Sequence, residues 1–391
     1  MLQRRRIMQI AGASVACSVL PLPVLAAADT DKRLLVVLLR GGMDGLSAVP
    51  PYGDPDYQGA RSGLALAPPG APAGALRLDD FFGLHPNLPG MAALYRAGEL
   101  AVIHATATSY RDRSHFDGQN MLESGAEQPY GLESGWLNRA IGLVPGGRSG
   151  LGMAFNAHLP LMMRGAVQVG SWSPSLLATP ASGTIERLAA LYAETDPALA
   201  AAFATALQGN AMALGPAGTG AGQFAGLMES VARFLVAPAG ARIAMCEIGG
   251  WDTHVNQRSP LGPLASNLTA LDRGVAALRN GLGDVWRHTA VLVVSEFGRT
   301  VAQNGTQGSD HGVGGAAFLL GGAVRGGRVI ADWPGLAARS LYQGRDLQAT
   351  TDLRAVMAGV LRDHLGIDAG RLGQVFPSAR AIEGTGGLLR A

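Results

Sequence analysis

Cysteine is nearly absent. The 391 residues hold two, Cys17 and Cys246, and Cys17 falls in a leader-like segment. A chain left with one cysteine has no internal disulfide framework, and Cys246, in the middle of the apolar run "ARIAMCEIGG", is expected to be a buried structural thiol. Charge is also sparse, at 15% of residues against 48% hydrophobic, so the chain can build a sizeable core. An excess of positive charge is missing once the leader is set aside. Residues 1–28 carry three of the 31 basic residues and no acid, which leaves 28 basic against 29 acidic. That balance excludes the basic footprint of a nucleic-acid binder. After the leader no apolar run reaches the ~20 residues a membrane span needs. The 56 glycines have no three-residue period and lie among hydrophobic runs. Collagen-like and disordered chains are thereby excluded, and tight turns with long loops are implied. No internal repeat and no clean boundary divides residues 29–391, which read as a single domain.

The N-terminus reads "MLQRRRIMQIAGASVACSVLPLPVLAAAD". A basic cluster, Arg4 to Arg6, precedes an apolar stretch from Ile7 to Leu25 and the small residues Ala26 to Ala28. This is the pattern of a signal peptide over residues 1–28. Arg4-Arg5 followed by Arg6-Ile7-Met8 further matches a twin-arginine signal, whose passengers cross already folded. A lipoprotein reading at Cys17 is disfavoured by Ser14, which stands where leucine is wanted. The mature chain is therefore expected to be periplasmic or secreted.

Continuous apolar runs ended by glycine or polar residues predict buried strands at "RLLVVLLRGG", "ELAVIHAT", "ARIAMCEIGG" and "TAVLVVSEFG". A fifth is expected at "AAFLLGG", an edge or hairpin strand at "GRVIAD", and an inserted hairpin over Leu151–Ser171. Helical spacing appears in "NLPGMAALYRAG", in Ser266–Trp286 with Ser266 as candidate N-cap, and in "TIERLAALYAETDPALAAAFATALQGNAMA" with a break near Pro197. "FAGLMESVARFLVA" and "TTDLRAVMAGVLRDHLG" are helical too, the latter with Asp352 and Arg354 expected to cap and brace it. Strand–helix alternation predicts an α/β fold: a mixed, mostly parallel central sheet flanked by helices on both faces.

In such sheets ligands gather at the carboxyl ends of the strands. Each of the four strong runs is followed there by acids or imidazoles. The first leads to Asp44, the second to Arg113-Ser114-His115-Phe116-Asp117, the third to Asp252 and His254, the fourth to Glu296 and then Asp310-His311. Singly, a strand-end Asp reads as a helix cap and a lone His as a hydrogen-bonded loop residue. Convergent carboxylates and imidazoles suit a divalent cation, because buried unpaired charge is costly. Ser114 reads either as a helix N-cap or as a nucleophile. Arg113 either binds an oxyanion or pairs with Asp117, and Arg299 either pairs with a carboxylate or binds an anionic substrate group. His85, His104, His158, His288 and His364 have no spacing that favours a metal.

Together "RGGMDGL", "RSHFDGQ", "GGWDTH", "SEFGRT" and "DHG" resemble the exported domain-of-unknown-function family numbered 1501, of the alkaline phosphatase-like (sulfatase-like) superfamily, over about Arg33 to Leu365. The resemblance implies an exported hydrolase of phosphate or sulfate esters, with a small anionic ester as substrate and a divalent ion: zinc, or else calcium, magnesium or manganese. By position it implies Asp44, Asp252, His254, Glu296, Asp310 and His311 as the metal set. Ser114 with Arg113 and His115 would be the catalytic group, and Arg299 a substrate contact. The sequence departs from the superfamily in three places. Glu296-Phe297 stands where Asp-His is usual, His254 follows Asp252 by two residues rather than four, and no Cys-x-Pro-x-Arg motif is present. The alternative is a non-catalytic exported binding or assembly protein that keeps the fold with a degenerate metal site.

Overall fold

The seven residues Arg33–Leu39 form strand β1, and all seven are buried. In the computed structural model, which describes residues 30–145, 150–174, 182–212, 221–238, 240–258, 262–377 and 382–390, this strand lies in the middle of a nine-stranded sheet. The expected leader, residues 1–28, lies outside the described residues. The remaining strands are β2 (Leu76–Arg77), β3 (Gly83–Leu84), β4 (Leu100–Ala107), β5 (Gly152–Phe155), β6 (Gly170–Ser171), β7 (Ile243–Ile248), β8 (Thr289–Ser295), β9 (Gly315–Leu320), β10 (Arg328–Ile330) and β11 (Thr351–Asp352). The sheet order is β10-β4-β9-β8-β1-β7-β5-β6, with β11 also on β4, while β2 and β3 form a separate ribbon.

Successive side chains of a strand face opposite sides of its sheet, and here both sides are covered. Leu35, Val37 and Leu39 pack with Phe155, Met228, Phe234 and Leu271, under the helices Ala221–Val236 and Pro263–Leu282. Leu34, Val36 and Leu38 pack with Trp136, Leu292, Met357 and Phe376, under the helices Trp136–Ile141 and Leu353–Leu365. Burying each such side chain contributes about 1.5–3 kcal/mol relative to leaving it in water. Two-sided burial is why these strands read as unbroken apolar runs rather than alternating ones. Cys246 on β7 is fully buried, its Sγ 3.9 Å from Met228 Sδ, and burial pushes its thiol pKa up.

The pairings of β1 with β7 and β8, of β5 with β6 and β7, and of β4 with β10 and β11 are parallel. Only β9 runs the other way, antiparallel to β4 and β8. The carboxyl ends of β1, β4, β7 and β8 therefore share one edge of the sheet, and the amino end of β9 joins them. That reversal returns Asp310 and His311, just before β9, to the edge where Glu296 leaves β8.

Two expectations are corrected. The segment Leu151–Ser171 is not a hairpin, because β5 and β6 pair in parallel. Parallel neighbours cannot be joined by a tight turn, and the chain crosses between them through the 3₁₀ turn Leu161–Met163. The long helix starts at Pro263 with Gly262 as N-cap, not at Ser266, and runs to Leu282. Proline at the first turn gives up an N–H that would have no partner anyway.

Candidate metal centre

The chain leaves β1 through Gly41, at φ +124, where an added Cβ would lie 2.5 Å from the Asp252 nitrogen. Glycine alone accepts both that backbone angle and that approach. The loop after β7, which carries Asp252 and His254, is thereby packed directly onto the end of β1. The Gly41 N–H also donates to Glu296 Oε1 at 2.9 Å.

Three imidazoles meet at this edge. His115 opens the helix His115–Ser124 after β4, His254 lies in the loop after β7, and His311 precedes β9. Each has its Nδ1 facing an oxygen. That of His115 lies 2.9 Å from Glu296 Oε1, that of His254 3.1 Å from Asp310 Oδ1, and that of His311 3.0 Å from the Arg113 carbonyl. Such partners place the proton on Nδ1 and leave the lone pair on Nε2. The three Nε2 atoms then converge. His311 Nε2 is 3.0 Å from His115 Nε2, 3.0 Å from His254 Nε2 and 3.0 Å from Asp252 Oδ1. Asp252 Oδ1 is also 3.0 Å from His254 Nε2 and 3.5 Å from His115 Nε2. Among the described residues, His115, Asp252 and His311 form a group whose ligand atoms all lie within 4.8 Å of one another.

These separations fit a bound ion. Four-coordinate zinc with bonds near 2.0–2.1 Å sets its ligand atoms roughly 3.3 Å apart, and the His115, His311 and Asp252 atoms stand 3.0, 3.0 and 3.5 Å apart. Lone-pair atoms this close repel unless a cation or protons lie among them. The residues behind the cluster are those that fix metal-binding imidazoles: a carboxylate, a second carboxylate and a backbone carbonyl, each on a ring N–H.

Glu296 thus stands behind His115 rather than in the centre. It is fully buried and accepts from His115, Gln119 Nε2 and the Gly41 N–H. Asp310 holds His254, not the neighbouring His311, and is steadied by Asn304 at 3.0 Å. Phe297 packs its ring 4.8 Å from that of His115 and 5.2 Å from that of His311. His115 is the third imidazole at this edge. It stands directly after Ser114, at the start of the helix that follows β4, with no spacing in the sequence that marks it as a partner of His254 and His311.

Asp44 has other partners. Fully buried at the N-cap of the short helix Gly45–Ala48, it accepts from Leu46 N, Ser47 N, Ser47 Oγ, Arg61 and Gln257. The buried Arg61 guanidinium lies 2.5 Å from its Oδ2. Gln257 carries the network onward, its Oε1 accepting from Thr253 Oγ1 at 2.9 Å and Ser309 Oγ at 2.5 Å. Ser309 meets Arg299, which donates to Asp252 Oδ1 at 2.6 Å. Asp44 therefore anchors the loop that carries Asp252 and His254 and makes no contact with the imidazoles. Arg61 and Gln257 have no motif in the sequence that marks them for this work.

Arg113 pairs with Asp346 at 2.7 Å and with Gln343, not with Asp117, which accepts from Tyr110. It sits at φ +64, uncommon for a residue with a side chain, and this places its carbonyl on His311. Ser114 is at the N-cap position of its helix without a side-chain cap bond, and its N–H donates to the Tyr110 hydroxyl at 3.2 Å. Arg299 is buried and pairs with a carboxylate, the first of its two expected roles. His104 and His364 bond the carbonyls of Val49 and Arg33, and burial pulls each down to about 4.

The charges follow from these partners. Burial works against ionisation of Asp252, but Arg299 with His254 and His311 outweighs it and holds the carboxyl below its ordinary range. Burial likewise opposes the Glu296 carboxylate, and His115, Gln119 and Gly41 override it. The His115 pKa is raised, mainly by its bond to Glu296. Burial, then His115 and Arg299, lower that of His311.

The chain belongs to a family described as protein of unknown function (DUF1501), whose model matches residues 31–375. No curated protein matches it. It is similar to the C-terminal periplasmic domain of EptC from Escherichia coli, solved in complex with zinc, at 12% identity over 77% of this chain and 76% of that one, with a TM-score of 0.37. It is also similar to the phosphonate monoester hydrolase of Agrobacterium radiobacter, at 11% identity over 86% and 74% with a TM-score of 0.35. A third likeness is the lipoteichoic acid synthase LtaP of Listeria monocytogenes, at 9% over 87% and 80% with a TM-score of 0.33. Likenesses of this size assign the chain no activity.

Proposed function

We propose that the cluster of His115, Asp252, His254 and His311 holds a divalent cation, and that the chain is an exported metal-dependent hydrolase of phosphate or sulfate esters. One observation carries the reading: three imidazole Nε2 atoms and a carboxylate oxygen converge, each ring with an oxygen behind it on its Nδ1. Imidazoles with a carboxylate suit zinc, and manganese less well, whereas calcium and magnesium favour all-oxygen sets. A bound ion would supply a Lewis acid that draws electron density from the ester oxygens.

The chain's own residues do the rest. Asp252, half-exposed and paired with Arg299, orients the open side of the cluster. Glu296 and Asp310 keep His115 and His254 in the tautomer that presents Nε2. Ser114, beside His115 at the amino end of a ten-residue helix, is the hydroxyl we assign to attack. The free N–H groups of such an end favour developing negative charge. The second reading, a binding protein with a structural ion and no turnover, is favoured by Asp44, whose oxygens are taken up by Arg61, Ser47 and Gln257.

Elemental analysis of the purified mature protein, read with turnover of aryl phosphate and aryl sulfate esters, separates the two. Bound divalent metal and chelator-sensitive turnover are expected. Metal without turnover would leave the binding protein, and no metal would sink both readings. Export is tested separately. Exchange of Arg4 and Arg5 for lysine should hold the precursor in the cytoplasm, since a twin-arginine signal requires the pair. Normal export of that variant would leave an ordinary secretory signal. Among the described residues no helix is long and apolar enough to cross a membrane.

A further inference from the structure

The helix that opens on His115 carries a polar stripe. In "HFDGQNMLE", His115, Gln119 and Glu123 follow one another at intervals of four, so they share one face of the helix His115–Ser124. Glu123 is buried and Gln119 partly so. A charge and an amide placed there need partners, and Arg40, the first residue after β1, supplies them. Its Nε donates to Glu247 Oε2 at 2.6 Å and its Nη1 to Gln119 Oε1 at 2.8 Å, with Glu123 Oε1 2.9 Å from the same nitrogen. The Arg40 N–H donates to the Ile248 carbonyl at 3.0 Å, and its carbonyl accepts from Trp251 N at 3.3 Å. The guanidinium is thus set by β7 and by the loop that leads to Asp252.

A glutamine amide can turn either way, and its two ends differ in that one accepts and the other donates, whereas a guanidinium only donates. With Arg40 on Oε1, the Gln119 Nε2 faces Glu296 Oε1 and donates to it at 2.9 Å. The reverse orientation would set an N–H against the guanidinium and an oxygen against a carboxylate. Glu296 Oε1 in turn lies 2.9 Å from His115 Nδ1. We infer that Arg40 and Gln119 are positioning residues of the centre: Arg40 pins the Gln119 amide, and the pinned amide gives Glu296 the donor that keeps its carboxylate on His115. The inference rests on the reading of the cluster as a cation site and extends the support of one ligand to residues that touch no imidazole.

The test is a reversal of polarity. Gln119→Glu keeps the shape and the acceptor for Arg40 but sets an oxygen against Glu296. Gln119→Met removes both bonds and adds no charge. Both replacements are good helix formers, and melting curves show that each variant is folded. Zinc affinity, from chelator competition at mildly alkaline pH, should fall by less than about tenfold in Gln119→Met and by about 10–100-fold in Gln119→Glu, the range for losing a residue behind a ligand. Like charges that close drive the Glu296 carboxylate off His115. A role in packing alone gives the opposite order, because glutamate is the closer match in shape. Arg40→Lys keeps a positive charge beside Glu123 and Glu247 but loses the fork. It should weaken zinc binding as Gln119→Met does, and cost nothing further in the Gln119→Met background. The ring Nδ1–H of His115, followed by heteronuclear NMR in the metal-free protein, should keep its resonance in Gln119→Met and lose it in Gln119→Glu. Zinc binding by Gln119→Glu as tight as by Gln119→Met, full additivity of Arg40→Lys with Gln119→Met, or an unchanged His115 resonance in Gln119→Glu would overturn the proposal. An unaltered protein that binds no zinc, with the His115 resonance still lost in Gln119→Glu alone, would remove the cation and keep the positioning.

Discussion

Replacing His311 by alanine is expected to weaken zinc binding more than any other single change, by well over about a hundredfold. His311 Nε2 is the atom that stands 3.0 Å from His115, His254 and Asp252 alike, so its loss leaves the remaining ligand atoms without a common neighbour. Glu296→Gln should be milder, in the range of about 10–100-fold that follows loss of a residue behind a ligand. The amide oxygen still accepts from His115 Nδ1, but the charge is gone. Asp44→Asn should weaken zinc binding far less than His311→Ala, because Asp44 contacts none of the three imidazoles and acts only through the loop it anchors. Competition against a chromophoric chelator gives the three affinities, and a melting curve of each variant shows that it is folded. Zinc binding by His311→Ala at the affinity of the unaltered protein would remove the proposed ligand set. So would an Asp44→Asn variant as impaired as His311→Ala, which would return Asp44 to the metal.

The largest effect on stability is expected at Arg61. Arg61 and Asp44 are both fully buried and lie 2.5 Å apart. Removing one member of such a pair strands the other's charge and costs about 3–5 kcal/mol. Arg61→Met alone should therefore lower stability by that much in denaturant titrations. Arg61→Met combined with Asp44→Asn should recover a large part of it, since no net charge is then left buried. A double variant no more stable than Arg61→Met would show that packing, not charge, holds the site together. The pH dependence has a defined sign. Burial alone would raise the Asp44 carboxyl, but Arg61, Ser47 and Gln257 together hold it below its ordinary value of 3.8. The pair's contribution is then complete above that pH and is lost as acid takes the solution below it.

The four strands at the heart of the sheet were legible because both of their faces are buried, which writes them as unbroken apolar runs. β5 and β6, with four and two residues, are too short to show whether they return on each other or run in parallel. β5 takes its place against β7, far away in the chain, and β6 pairs with β5. The start of the long helix was displaced because Gly262-Pro263 and Ser266 are both acceptable openings, and tertiary packing chose between them. In the site, the types of residue that converge were legible and their roles were not. His115, His254 and His311 share a spacing in space that their numbers do not reveal. Glu296 and Asp310 read as ligands because a carboxylate bound to a metal and a carboxylate bound to an imidazole N–H look alike in one dimension. The acceptor for His311 is the carbonyl of Arg113, a backbone atom with no sequence signature at all. Asp44 was displaced from the centre by a guanidinium seventeen residues on, in a stretch with no motif.

The reversed strand β9 has a consequence for the order of assembly. His115 and His311 are 196 residues apart in the chain. Residues 296–314 leave β8 and return along β9, so both ends of that segment are pinned only once these two strands have zipped together. A nascent chain that has yet to release β9 lacks the strand that joins β4 to β8, and with it the scaffold that brings His115 and His311 together. On the proposed reading, ion capture would follow completed folding, and a loaded centre would mark a chain that has closed its central sheet. For a passenger that crosses a membrane already folded, capture would then belong to the compartment of synthesis, and the ions available there, rather than those at the destination, would decide which one is carried out.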